Sequence, residues 1–142
     1  MDWKWVKHGS DEYWSTVDLR RRVLRIPLGL DFSETDLAGE VGDGHLAGLE
    51  GSAALACLVM TPKGDGTVKM RQVAVDPALQ GKGLGRNMVA ESERWARAQG
   101  FREIVLSARE SAVPFYLRLG YAIDGDPFEE VSLPHFLMRK PL

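Results

Sequence analysis

Apolar and polar positions alternate from the first residues of the chain. Trp3, Lys4, Trp5, Val6 and Lys7 predict a short strand, and its lysines discourage further pairing at a sheet edge. Residues 9–12 predict a turn, with Ser10 or Asp11 as N-cap of a helix running to about Ile26. That helix carries two apolar faces: Tyr13, Val17 and Leu24 on one, Leu19, Val23 and Ile26 on the other. It is therefore either contacted from two sides or broken midway. Pro27 stops it and Gly29 opens a loop. Over residues 28–44 periodicity is weak, which predicts a loop with one short helical turn, anchored by Phe32 and Leu37.

Residues 45–49 and 53–60 read as two strands of a hairpin joined by Glu50, Gly51 and Ser52. A second turn at 62–66 leads to a strand over 67–75. There Val68, Met70, Gln72 and Ala74 alternate with Lys69, Arg71, Val73 and Val75, and the second half is apolar on both faces, as in a strand deep within a sheet. A helix follows over about 84–99. Its inward stripe is Leu84, Met88, Val89, Ser92, Trp95 and Ala96, and its solvated face is Glu91, Glu93, Arg94 and Arg97. A short buried strand at 104–106 precedes a helix capped by Ser111, with Ala112, Phe115, Tyr116 and Leu119 on one stripe. Strands at 121–123 and 133–138 close the chain, separated by the acidic run 124–130. The order β-α-β-β-β-α-β-α-β-β is a mixed α/β (α+β) fold: a mostly antiparallel central sheet, flanking helices, and one parallel step after the third hairpin strand. No repeat or low-complexity linker divides it, so residues 1–142 form a single expected domain.

Composition changes this picture by exclusion. The hydrophobic share is 44%, the charged share 27% and the formal net charge -2, ordinary for a globular protein and unfavourable for bulk attraction to nucleic acid or anionic membrane. The lone Cys57 permits no internal disulfide and reads as a small buried residue. No leader-like apolar segment opens the sequence and no run approaches a membrane span, so the expectation is a cytoplasmic protein. No metal is expected, and a homodimer is compatible with the pattern.

The candidate chemistry centres on Gln80, Gly81, Lys82, Gly83, Leu84 and Gly85, between a strand and a helix. Such a turn points several N–H groups at one place and adds a helix N-terminal charge of ~+0.5, which suits a phosphate or pyrophosphate. A Walker loop is excluded because Lys82 is followed by Gly83, not Ser or Thr. A dinucleotide fingerprint fits poorly: the spacing is G-x-G-x-G, and Asp76, Pro77, Ala78 and Leu79 separate it from the strand. A coenzyme A loop of the form [QR]-x-x-G-x-[GA] fits throughout.

Val73, Ala74, Val75, Asp76 and Pro77, then the glycine loop, then Ala112, Phe115, Tyr116, Gly120 and Tyr121 in an A-x-x-F-Y-x-x-x-G-[FY] string together resemble the GNAT superfamily of acetyl-CoA-dependent N-acetyltransferases. The specific part of the resemblance covers roughly residues 70–121. It implies an enzyme that moves an acetyl group from acetyl-CoA to a primary amine by direct attack. The pantetheine arm would pair with Gln72, Val73, Ala74 and Val75 of a splayed strand. The pyrophosphate would meet Gln80, Gly81, Lys82, Gly83, Leu84, Gly85 and Arg86, with Ser111 and Phe115 beside the coenzyme. A backbone N–H near Val73 would face the oxyanion, and Tyr116 would protonate the departing thiolate.

Each residue also has a plainer reading. An aromatic on a buried stripe is usually core, but Phe115 and the Gly120-Tyr121 ending favour a functional Tyr116. Glu129, Glu130 and His135 lie where the acceptor site is completed in this family, as a base or as acceptor contacts. An ordinary solvated loop and a water-relayed proton path stand beside that reading. His45 reads as structural. Arg20, Arg21, Arg22 and Arg25 read as a solvated helix face, with Arg22 or Arg25 as a candidate contact for a carboxylate or phosphate on the acceptor. A non-catalytic acyl-CoA-binding module is the alternative from another class, and a nucleotide-phosphate binder is a third. The acceptor, small molecule or protein amine, and the acyl length are not encoded in any motif.

Overall fold

A computed structural model describes all 142 residues. Eight strands form one sheet in the order β1-β2-β3-β4-β5-β8-β6, with β7 paired to β8. Strands β1 (Asp2–Trp5), β2 (Gly44–Glu50), β3 (Ala53–Gly64) and β4 (Thr67–Val75) are an antiparallel run, and the only parallel step joins β4 to β5 (Glu103–Arg109). Strands β6 (Ala122–Ile123), β7 (Phe128–Glu130) and β8 (Leu133–Pro141) complete the far edge. No helix is long and apolar enough to cross a membrane.

Helices α3 (Leu84–Ala98) and α4 (Val113–Arg118) cover one face of the sheet over the main core, which includes Leu58, Met70, Met88, Leu106, Tyr116 and Met138. Helices α1 (Asp11–Arg20) and α2 (Glu34–Ala38) cover the other face, over two smaller clusters that include Tyr13, Val17, Leu37 and Leu19, Cys57, Ala74. Both are capped as their sequences dictate. Ser10 accepts from the Tyr13 N–H at 3.1 Å, and Ser33 and Asp36 form a reciprocal capping box.

Several expectations are corrected. Of the two readings of the first helix, the one broken midway holds: α1 ends at Arg20, a π-helical turn spans Arg21–Arg25, and a 3-10 turn spans Ile26–Leu28. The widened turn lets Val23 and Leu24 pack together on the Leu19 cluster, so Leu24 leaves the face predicted for it with Tyr13 and Val17, and Ile26 is exposed. The acidic run is not a bare loop, because β7 folds back on β8 with Phe128 opposite His135. Strand β5 continues three residues past Leu106. Ser111 does not cap α4; it sits in a 3-10 turn, Glu110–Ala112, and α4 starts at Val113 with no side-chain cap. Glu93 is buried, not solvated, since Tyr121 Oη donates to it at 2.9 Å and Lys140 Nζ at 3.0 and 3.1 Å.

The alternation along β4 also breaks. Val68 and Met70 face the main core, but so do Val73 and Val75, while Ala74 packs with Leu19 under α1. Register passes from Val59 opposite Arg71 to Cys57 opposite Ala74, so β4 carries one extra residue, and Gln72 takes a left-handed φ of 54°. A bulge of this kind reverses the side-chain parity of everything after it.

Candidate active site

The bulge coincides with the loss of a strand pairing. The parallel ladder holds from Thr67 opposite Glu103 to Met70 opposite Leu106 and then stops. Beyond it β4 keeps only β3, and β5 keeps only β8, where Ser107, Ala108 and Arg109 pair with Leu137, Phe136 and His135. The backbone groups that β4 and β5 would have shared are released into a wedge. The wedge opens into a cleft of about 840 Å³ walled by Met70, Arg71, Gln72 and Val73 on one side and Leu106, Ser107, Ala108 and Arg109 on the other. A buried polar atom there lacks a partner, the Gln72 Oε1. An unpaired buried acceptor costs free energy, and an N–H or O–H brought into the cleft would relieve it.

At one end the wedge meets the start of α3. Gly81 and Gly83 have φ of 82° and 83°, left-handed values that other residues adopt only with strain. A Cβ at Gly81 would meet nothing within 4 Å, so backbone conformation, not crowding, requires the glycine. Gly83 is the N-cap and offers no side chain, and no acid lies in the first turn. The first N–H groups of α3 are left without a capping group, which is the condition for an anion seat. Gly85 is different: a Cβ there would lie 3.3 Å from the Phe115 ring, so it lets α4 approach. Gln80 braces the turn by donating to the Val75 carbonyl at 3.2 Å, and Lys82 and Arg86 are exposed on it.

On the same cleft wall lies Tyr116, 6% exposed, packed edge-on to Phe115 and Tyr121 at 5.0 and 5.7 Å. Burial pushes its phenol up to about 12. The proton therefore stays on Tyr116 at neutral pH.

The acetyltransferase (GNAT) family profile matches residues 11–121. The chain belongs to that family. Among curated relatives, a glucosamine 6-phosphate N-acetyltransferase of Trypanosoma brucei brucei is 32% identical over 70 residues, 46% of this chain and 48% of its own. The chain thus spans about half the length of that relative. An acyl-CoA N-acyltransferase from Pseudomonas aeruginosa has the same fold, with a TM-score of 0.85, 25% identity and 98% coverage of both chains. A GNAT family acetyltransferase from Elizabethkingia anophelis, solved with acetyl-CoA bound, superposes with a TM-score of 0.76 at 14% identity, covering 99% of this chain and 97% of that one.

Within this GNAT fold the remaining predicted residues separate. Ser111 lines the cleft, and Phe115 packs between Gly85 and Tyr116. His135, 4% exposed, also lines it. Its Nδ1–H donates to the Leu133 carbonyl at 2.9 Å, which leaves Nε2 as the proton-accepting nitrogen, 3.4 Å from Glu130 Oε2. Glu130 lines the cleft, whereas Glu129 faces a shallow depression with Pro127, Phe128 and Ser132 outside it. His45 lies away from the cleft; it is buried beside Tyr13 and hydrogen-bonded to the Glu40 carbonyl at 2.9 Å. Burial pushes Cys57 up to about 12, which leaves an inert thiol. No group of three metal-type ligands comes together.

Sequence reasoning missed Lys69, Ser107 and Arg109 on the cleft and the Arg20–Glu40 pair beneath it. Extending β5 by its period-2 pattern beyond Leu106 would have placed Arg109 on the face of Ser107. Nothing in the sequence marks Glu40 as Arg20's partner, because the two are brought together only by α2 folding back on α1.

Proposed function

We propose that this GNAT protein transfers an acetyl group from acetyl-CoA to the amine of a small-molecule acceptor by direct attack, with both substrates bound together. The observation that carries this reading is the wedge: β4 parts from β5 next to the uncapped start of α3, with Tyr116 on the wall between. The released backbone of Gln72, Val73, Ala74 and Val75 supplies an unfinished strand edge, and the amides of a pantetheine arm have the donors and acceptors to complete it. The orphaned Gln72 Oε1 fits the same ligand. N–H groups over residues 81–86 take the diphosphate.

Bound acetyl-CoA supplies an activated thioester; the chain supplies position and protons. A backbone N–H near Val73, beside the bulge, donates to the carbonyl oxygen as negative charge develops there. His135 Nε2, with Glu130 beside it, accepts the proton that the attacking ammonium must lose. Tyr116 donates a hydrogen bond to the leaving sulfur. With burial pushing the phenol up to about 12, complete proton transfer to a more acidic thiol is uphill. The phenol thus acts while charge develops, as a hydrogen-bond donor to the forming thiolate, and the thiolate takes up the second proton that the acceptor nitrogen releases as the amide forms.

The test is thiol release from acetyl-CoA across a panel of primary amines, together with thermal shift by CoA, ATP and NAD. Amine-dependent thiol release and stabilisation by CoA alone are expected. CoA binding without turnover across the panel would leave a non-catalytic acyl-CoA-binding module. Stabilisation by ATP or NAD instead of CoA would overturn the donor site.

A further inference from the structure

We propose that the acceptor carries an anionic group, a carboxylate or a phosphate, beside its amine, and that Arg25 is the residue that reads it. The proposal rests on the acceptor half of the cleft being where the preceding reading puts it.

The sheet has two chemically distinct faces at the wedge. Met70, Leu106, Ala108 and Met138 point to the α3 and α4 side and join the main core. By strand parity Lys69, Arg71, Ser107, Arg109 and His135 point to the other side, toward α1 and the π-helical turn. Arg109 and His135 are register neighbours there. The diphosphate seat at the start of α3 lies on the opposite layer and has its own cations, Lys82 and Arg86. The basic groups on the α1 side are therefore left for something else.

The charges on that side do not cancel. Arg71 is neutralised by Asp43 at 3.6 Å and Glu40 at 3.8 Å. Arg25, Lys69 and Arg109 all line the cleft and form no ion pair. The one carboxylate in the lining, Glu130, faces His135. This excess of positive charge sits in a protein whose formal net charge is -2, so it is local to the cavity.

Arg25 is the member of the group built for recognition. It leaves the π-helical turn into the cleft lining, and its guanidinium carbon lies over the Phe32 ring at 4.7 Å, which restrains the fork. Its Nε is buried without a hydrogen-bond partner. Burial, and then the charge of Arg20, push its pKa down; the carboxylates of Asp36 and Glu130 act against that shift and Arg71 adds to it, yet neither carboxylate reaches Arg25 as an ion pair. A planar carboxylate or a phosphate supplies the missing acceptors and the missing charge at once. Arg22 does not compete: it is half-exposed and pairs with Asp18 and Asp76 at 3.4 and 3.8 Å.

The test is calorimetric titration of the protein saturated with CoA, using two matched pairs: phenylalanine against phenylalaninamide, and phosphoethanolamine against ethanolamine. The expected result is at least tenfold tighter binding of one anionic member than of its neutral partner. The pair that shows it separates carboxylate from phosphate. Arg25→Gln should abolish the preference, and Arg25→Lys should retain only part of it, while CoA affinity stays unchanged in both. Equal binding within both pairs would overturn the proposal, as would a preference that survives in Arg25→Gln. The wild-type comparison needs no variant to fold. The readout is binding, so absence of acetyl transfer would sink the catalytic reading and leave this measurement standing.

Discussion

Replacing Glu40 by Gln isolates the buried charge cluster beneath the α1 side of the cleft. Glu40 is 3% exposed. Its Oε1 accepts from Tyr13 Oη at 2.9 Å and Arg20 Nη1 at 2.8 Å, and its Oε2 from Arg20 Nη2 at 2.6 Å. Burial alone pushes the carboxyl up, but the hydrogen bonds and charge of Arg20 outweigh it and hold Glu40 below the ordinary value. A glutamine keeps the shape but turns one acceptor into an NH2 facing a guanidinium. Arg20, 1% exposed and already short of a partner at Nε, is left as an uncompensated charge. Breaking such a pair from one side costs about 3–5 kcal/mol. For a chain of 142 residues, an unfolding entropy of about 0.3 kcal/mol/K turns that into a Tm loss of roughly 10–17 °C. Differential scanning calorimetry measures it directly. The double variant Arg20→Met with Glu40→Leu should recover part of the loss, because an apolar pair of similar volume removes both charges together while leaving the buried Tyr13 hydroxyl without its acceptor. A loss below about 1 kcal/mol in Glu40→Gln, or a double variant worse than the single, would refute the reasoning.

Three further outcomes follow from the same geometry. Tyr116→Phe should lower kcat by about a hundredfold while CoA affinity stays within about threefold, because only a hydrogen bond to developing charge is lost; unchanged turnover would remove Tyr116 from the reaction. Gly83→Val places a side chain at a φ of 83° in front of the helix N-terminus, at a strain of about 1–2 kcal/mol. Calorimetry should show CoA affinity down by at least tenfold, and unaltered affinity would show that the diphosphate sits elsewhere. Stability should also fall on mild acidification. Burial holds buried His45 below its ordinary 6.5, so its contribution is present above about 6.5 and is lost as pH falls, when the unfolded chain binds a proton that the folded one excludes. Glu40, also depressed, adds a second loss below 4.5. In thermal melts, His45→Gln should flatten the Tm profile between pH 6.5 and 5, and an unchanged slope there would be the contrary result.

Elements whose local pattern and tertiary setting agree were legible in the sequence. Thr67–Val75 and the start of α3 at Leu84 have the bounds that alternation and the glycine loop predict. The bulge at Gln72 was not legible, because one inserted residue leaves composition and alternation intact while reversing every later side chain. The reversal sets Arg71 and Val73 on different faces, so the two halves of the cleft were hidden with it. Glu93 read as a surface acid, and Glu40 carried no signal, because their partners, Tyr121 with Lys140 and Arg20 with Tyr13, lie 20 to 47 residues away in sequence. The proposed coenzyme half of the site is written in a contiguous loop and a helix string, whereas the proposed acceptor half is assembled from the π-helical turn, two strands and the short β7–β8 hairpin. Only the former leaves a motif.

A crystal structure with acetyl-CoA bound tests the central claim most directly. The account predicts the pantetheine arm lying in the wedge along Gln72, Val73, Ala74 and Val75, the diphosphate within hydrogen-bond distance of N–H groups over residues 81–86, and the sulfur beside Tyr116 Oη. Density for the coenzyme outside the wedge, or β4 and β5 paired along their full length with the ligand elsewhere, would contradict it.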